Sequence, residues 1–336
     1  MRVGVLGTGR MGMRHLQVLR DLGFEIVGIM DQQEASLARA GAEFEIPPAR
    51  QYHDAGRLLE AAKPEAVIVS ATAPGHAPLT CLAAEAGAKY ILCEKPMASS
   101  LAACDRMIDT CRRHGVRLAI NHQMRFMEQY RMVRRILESE EFGRWSSIAV
   151  VAGNIGLAMN GTHYFELLRW MSGEDPASVS AWLGRSGGPN PRGPQFEDCA
   201  GSVRVTTAGG RRLYMEIGAD QGHGIRVIYA GRNGVLVADE LDGQVHWSVR
   251  VSEHRGLSTS RYGMPAEDST TKVAPADAVS PTCAVLEALI AGRDYPTGED
   301  GRTAVATLVA AHISNERDHC PVSLDGLPRE REFPYP

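Results

Sequence analysis

Three glycines and an acid near the start of the chain set the first chemical expectation. Residues Gly7-Thr8-Gly9-Arg10-Met11-Gly12 fit G-x-G-x-x-G, follow the apolar run RVGVL at 2 to 6, and precede Leu16, Leu19 and Leu22 at helical spacing. That order reads as strand, tight turn and helix. Gly7 permits the turn, Gly9 lets backbone approach a pyrophosphate, Gly12 allows close helix-sheet contact, and the helix start favours the anion. A second strand, EIVGIM at 25 to 30, ends at Asp31, about 20 residues past the glycines, where a carboxylate accepts hydrogen bonds from adenosine ribose hydroxyls. The same carboxylate repels the 2′-phosphate of NADP, and Gln32 and Gln33 supply no cation to hold it. NAD is therefore the expected cofactor, held by Gly7, Thr8, Gly9, Arg10, Met11, Gly12 and Asp31.

The elements that must position these groups continue in alternation. A helix is expected at 53 to 62, a buried strand at 66 to 72, a helix around 77 to 87, a strand at 89 to 93, a helix at 99 to 113 and a strand at 117 to 120. This is the pattern of a doubly wound parallel sheet, whose ligands sit beyond the carboxyl ends of its strands. Three polar segments occupy such places: Ala73-Pro74-Gly75-His76, Glu94-Lys95-Pro96 and Asn121-His122-Gln123-Met124-Arg125. Ala73, His76, Glu94 and Lys95 are accordingly expected to line the cofactor, and His122 and Arg125 to meet a substrate. Lys95 has two readings, a proton donor held beside a nicotinamide or a solvated Glu-Lys pair at a strand end, and the upstream glycines favour the first. On the helix at 99 to 113, Cys104 and Cys111 share a face with Leu101 and Ile108 and read as core.

From Arg144 onward the pattern changes to a meander of strand candidates: 145–153, 177–184, 199–207, 211–219, 225–231 and 234–241. GRSGGPNPRGP at 184 to 194 reads as a loop, and 252 to 279 lacks periodicity and reads as long and irregular. Helices return at about 281 to 291 and 300 to 315. Between the first two strand candidates, Asn160 is a good N-cap, which would put His163 on the first helical turn, where the positive end of the dipole favours a neutral imidazole able to accept a proton. By itself such a histidine is ordinarily satisfied by backbone.

Composition bounds the function classes. At 336 residues the chain is long enough for two ordinary domains, and 44% hydrophobic with 23% charged residues excludes a disordered or fibrous chain. A net charge of -4 gives no reason to attract nucleic acid or an anionic membrane. No apolar run approaches the roughly 20 residues of a membrane span, and the N-terminus lacks a charged n-region and cleavage site, as expected of an unexported, cytoplasmic protein. Seven cysteines without C-x-x-C spacing, and histidines without H-x-x-x-H spacing, argue for reduced thiols and no metal site.

The Gly7 to Gly12 turn, Glu94-Lys95-Pro96 and Arg125-Phe126 resemble the glucose-fructose oxidoreductase, inositol dehydrogenase and rhizopine-catabolism (Gfo/Idh/MocA) family. So do the segment from Asn160 through His163 to Trp170 and Pro296-Thr297-Gly298-Glu299-Asp300-Gly301. The resemblance covers nearly the whole chain. It implies a Rossmann domain at 1–122, then at 123–336 an α/β domain with an open, largely antiparallel sheet that binds substrate and builds a homodimer or homotetramer. It implies a pyridine-nucleotide oxidoreductase acting on CH-OH groups of a polyhydroxylated sugar, cyclitol or nucleotide-linked sugar. Lys95 and His163 would be catalytic, and His122, Arg125, Asn160 and His163 would bind substrate. An anionic substituent would use Arg125 or the loop from Arg185 to Arg192. Many members carry an aspartate where this chain has Met159, which leaves the proton path open and Asn160 as the nearest polar substitute. Two alternatives share the fold: an NAD-dependent glycoside hydrolase, working by transient oxidation at C3 and elimination, and a non-catalytic ligand sensor. Retention of both Lys95 and His163 argues against the sensor.

Overall fold

The structure, a computed structural model, describes residues 1–185, 193–222, 224–259, 264–274 and 277–335. Most of the loop expected at 184 to 194 thus lies outside the described residues. Two compact units divide the chain: the first takes 1–126, 277–305 and 328–336, and the second takes 127–276 and 306–327. The expected single division after 122 does not capture the two segments that return to the first unit.

In the first unit the chain runs β1 (Arg2–Leu6), α1 (Arg10–Asp21), β2 (Glu25–Met30), α2 (Glu34–Glu43), β3 (Gln51–Tyr52), α3 (Ala55–Ala62), β4 (Ala66–Val69), α4 (Ala73–Glu85), β5 (Tyr90–Cys93), α5 (Leu101–Arg113) and β6 (Arg117–Ile120). The strands pair in the order β3-β2-β1-β4-β5-β6, all parallel. Helices cover both faces, so the strands read as near-continuous apolar runs, with Val3, Val5, Ile29, Ile68 and Leu92 all buried. The order reverses between β1 and β4, which opens a crevice at their carboxyl ends where the glycine turn sits. Helix α4 starts at Ala73, earlier than expected, because Pro74 in its first turn has no N–H that the helix would need. Ser100 caps α5 through the Ala103 N–H, and Gly115 at φ 67° closes it. Cys104 and Cys111 are buried on that helix, and burial pushes the Cys111 thiol up to about 12, as befits core rather than reactive sulfur.

The second unit holds α6 (Glu128–Leu137), β7 (Trp145–Ala152), α7 (Thr162–Ser172), β8 (Pro176–Arg185), β9 (Cys199–Thr207), β10 (Arg212–Ile217), β11 (Ile225–Gly231), β12 (Gly234–Asp239), β13 (Gln244–Arg250) and β14 (Ala266–Lys272). The chain continues as α8 (Val279–Ala291), α9 (Gly298–Glu316) and β15 (Val322–Ser323). Helix α8 belongs to the first unit, where Val285, Leu286 and Leu289 join a core with Leu16, Leu19 and Leu37. Among the described residues the second sheet orders its strands β14-β13-β12-β11-β7-β10-β9-β8-β15, with β7 and β10 parallel and the other neighbours antiparallel. Alternation sends Ile148, Val150, Leu213, Met215 and Val227 into the core and leaves the other face open. Part of 252 to 279, expected to be irregular, is strand β14, paired with β13 along its length. Its sequence AEDSTTK shows no apolar alternation because it is an edge strand, and the charges discourage further pairing. Among the described residues no helix is long and apolar enough to cross a membrane.

Candidate active site

The turn after β1 is built as its residue types require. Gly7 has φ 101°, and a Cβ there would lie 2.7 Å from the Ala71 backbone nitrogen at the end of β4, so no other residue fits. A Cβ on Gly12 would come within 2.1 Å of the Gly7 carbonyl oxygen, which explains the third glycine by contact with the turn itself. Gly9 differs: its Cβ position meets nothing within 4 Å. It precedes α1, whose first turn carries no acid and no N-cap side-chain hydrogen bond, so no side chain of that turn answers its first N–H groups. That space and those donors fit an anionic pyrophosphate. Asp31 stands beside them, with Oδ2 accepting from the Thr8 N–H at 2.7 Å and hydroxyl at 3.1 Å and Oδ1 from the Gln33 N–H at 2.9 Å. Oδ1, with a single donor, keeps capacity for a ribose hydroxyl. Arg39 of α2 donates to the Thr8 carbonyl at 3.5 Å, a cation that a reading confined to Gln32 and Gln33 does not count.

At the end of β5 the Glu94 carboxylate is the hub of a buried network. Oε1 meets His15 Nε2 at 2.7 Å and accepts from Asn121 Nδ2 at 2.8 Å, while Oε2 accepts from the Lys95 backbone N–H at 3.3 Å. Burial alone would raise this carboxyl, but the bonds from His15 and Asn121 and the Lys95 charge prevail and hold it well below the usual carboxylate range. Glu94 thus fixes the backbone from which Lys95 projects. His15 is a participant the sequence reading missed; the signal was a titratable residue on the buried stripe of α1, beside Gly12, Leu16 and Leu19. The His76 ring is buried, with Nδ1 2.9 Å from the Pro96 carbonyl and Nε2 3.0 Å from that of Ala71. Burial lowers its pKa against those carbonyl bonds. Its nitrogens face backbone, so the structure places it as a brace for the segment after Lys95, while Ala73 opens α4.

After β6, His122 is 1% exposed, and burial with the neighbouring Arg125 and Lys95 charges pushes it down to about 3, which keeps the ring neutral. Arg125 Nη2 donates to Asp300 Oδ2 at 3.2 Å, both side chains being buried, and the same oxygen accepts from the Thr297 N–H at 2.7 Å. The Arg125 and Asp300 segments, 175 residues apart, therefore meet as one ion pair, and much of the Arg125 charge is answered within the protein.

In the second unit, His163 lies on α7, but the helix begins earlier than an Asn160 cap would have it. A π-helical turn, Leu157–Gly161, runs straight into α7, which moves His163 into the second turn. Asn160 lies inside that turn, and its side-chain amide donates to the Ile155 carbonyl. The turn's first amides are capped from a distance: Ala158 and Met159 N–H donate to the two oxygens of Asp198 at 2.6 and 2.9 Å. Next to His163, Tyr164 donates to Glu240 Oε2 at 2.8 Å, and Tyr130 of α6 donates to the other oxygen. Burial pushes Glu240 up to about 7 and so disfavours its ionised form. Among the described residues no group of three or more His, Cys, Asp or Glu is placed to hold a metal.

Residues 1–122 match the family model GFO_IDH_MocA, described as an oxidoreductase family with an NAD-binding Rossmann fold. The chain is 30% identical over 240 residues to inositol 2-dehydrogenase 2 of Saccharopolyspora erythraea, a match covering 68% of this chain and 69% of that protein. Solved structures share the fold. An oxidoreductase from Agrobacterium radiobacter in complex with NAD+, L-tartaric acid and magnesium superposes with TM-score 0.77 at 20% identity, covering 96% of this chain and 98% of that one. Levoglucosan dehydrogenase in complex with NADH and levoglucosan gives 0.80 at 16%, covering 97% and 99%.

Proposed function

The chain belongs to the Gfo/Idh/MocA family of NAD-binding oxidoreductases, and from that premise we propose that it is a dehydrogenase interconverting a carbinol and a ketone carbon of a cyclitol, sugar or sugar derivative. The observation that carries this reading is the Glu94 hub, which ties the backbone of Lys95 to His15 on α1, the helix whose open N-terminus suits a dinucleotide. Bound NAD would supply the hydride acceptor at its nicotinamide. The Lys95 ammonium donates a hydrogen bond to the reacting oxygen and stabilises charge developing there. His163 takes the hydroxyl proton on oxidation and returns it on reduction. Asn160 hydrogen-bonds substrate hydroxyls, and neutral His122 is placed in the substrate-binding set with it. Arg125, paired with Asp300, orients substrate less by net charge than by hydrogen bonding. The test is formation of reduced nicotinamide from NAD across a panel of cyclitols, aldoses and nucleotide sugars.

NAD is expected to bind more tightly than NADP, because Asp31 is locked beside Thr8 where a 2′-phosphate would meet its charge. Arg39 works the other way, and its reach to the Thr8 carbonyl makes it the cation on which any NADP binding would depend. Titrating both cofactors checks this, and NADP binding equal to or tighter than NAD overturns it. Asp31→Ala is expected to narrow the gap and Arg39→Ala to widen it.

The open face of the second sheet supports assembly into a homodimer or homotetramer. Val151, Trp182, Tyr214, Ile228 and Val235, from five strands, are each 38 to 51% exposed on it, large apolar side chains that a monomer would leave in water. Light scattering is expected to give two or four times the chain mass, and Ile228→Arg to lower it. A monomer at micromolar concentration would contradict this.

A further inference from the structure

Among the groups around His163, Asp198 is the one whose geometry reaches furthest. Its carboxylate is 7% exposed and spans the first turn of the helical run, one oxygen to the Ala158 N–H at 2.6 Å and the other to the Met159 N–H at 2.9 Å. Helix starts leave such amides unsatisfied, and a two-oxygen, charge-assisted cap is the strong way to meet them. The cap comes from the end of the segment before β9, about 40 residues along the chain. The residue in front of the turn is shaped to receive it: Gly156 has φ 75°, and a Cβ there would lie 2.0 Å from Asp198 Oδ2. Only glycine allows both that backbone conformation and that approach. The turn is π-helical, so its register against α7 is not set by the regular α-helical ladder. Whatever fixes its start therefore fixes where His163, four residues past Met159, is presented.

We propose that Asp198 is a positioning residue for the reaction: by clamping the amides of Ala158 and Met159 it sets the register of the Leu157–Gly161 turn and hence the place of His163. The proposal rests on the reading of His163 as the acid-base group. It does not make Asp198 a catalytic residue, since the carboxylate acts through the turn. Removing the clamp lets the turn relax, and displacement of a reacting group by about 1 Å can cost on the order of 100-fold in rate.

The test is a double-mutant cycle on the whole protein. Asp198→Ala and Gly156→Ala break the same contact from its two sides, so each is expected to lower kcat by roughly 10- to 100-fold with NAD affinity unchanged. The double variant should be no worse than the poorer single one, the sign of one shared interaction. Asp198→Asn, which keeps one acceptor oxygen, should fall between Asp198→Ala and the parent chain, and it carries the test if Asp198→Ala does not fold. Faster amide hydrogen exchange at 157–163 in Asp198→Ala reads the clamp without reference to activity. His163→Ala, measured alongside, separates the two ways of failing. If it keeps kcat, the acid-base reading falls and takes the proposal with it. If it is inactive while folded Asp198→Ala and Asp198→Asn keep kcat within twofold of the parent, the proposal alone is overturned; independent, additive losses in the cycle overturn it as well.

Discussion

Lys95→Ala and His163→Ala are each expected to lower kcat by roughly 100- to 10,000-fold in correctly folded protein, with NAD affinity little changed. The Lys95 side chain is half-buried at the end of β5, and its backbone N–H is held by Glu94, so truncation removes the ammonium and leaves the strand end in place. What is lost is charge opposite a developing alkoxide, where a preorganised donor contributes most. In the proposed reading His163 transfers the hydroxyl proton, so neither residue is expected to substitute for the other. The contacts expected to carry cofactor affinity lie elsewhere, in the Gly7 to Gly12 turn and at Asp31. Steady-state kinetics with a parallel cofactor titration checks this, and near-parental kcat in either variant removes that residue from the chemistry.

Glu94→Ala is expected to have the largest effect on stability. The carboxylate is 4% exposed and serves three donors, and its loss leaves the buried His15 Nε2 and Asn121 Nδ2 without their strongest acceptor. Leaving these buried donors without their acceptor costs about 2–5 kcal/mol in all, which for a chain of this size lowers Tm by about 3–7 °C. Glu94→Gln, which keeps an acceptor oxygen, should lose less. Because the folded-state pKa of Glu94 is depressed, its contribution is present above the unfolded carboxyl value of about 4.3 and is lost as pH falls below it. The Glu94→Ala protein should lack that part of the acid dependence. A melting temperature within about 2 °C of the parent's would show that the network does not hold the unit together.

Features with local causes are legible in the sequence. Strand bounds at β9 and β11 follow from apolar alternation between turns, the glycine turn from its spacing, and the end of α5 from Gly115. Contacts spanning long stretches of chain leave no such trace. His15 to Glu94 spans 79 residues, Asp198 to Ala158 spans 40, and Arg125 to Asp300 spans 175. The acid that caps the His163 helix was invisible for that reason, and a local N-cap rule applied to Asn160 started the helix a turn late. Helix α8 reads correctly as a helix, yet its place in the first unit depends on which core its Val285, Leu286 and Leu289 stripe enters, a choice that periodicity does not express. Strand β14 escaped because a charged edge strand need not alternate.

The central claim is that a hydride moves from a polyol carbon of the substrate to NAD and stays there as product leaves. The direct measurement is isotope transfer: the protein is incubated with NAD and a panel of cyclitols and sugars deuterated at their carbinol carbons, and nicotinamide and sugar products are read together by mass spectrometry. The predicted result is deuterated, reduced nicotinamide accumulating in step with a ketone product for at least one member of the panel. Release of an aglycone with no net NADH would point instead to the hydrolase, which returns its cofactor unchanged. Tight NAD binding with no transfer from any member of the panel would contradict the dehydrogenase reading outright.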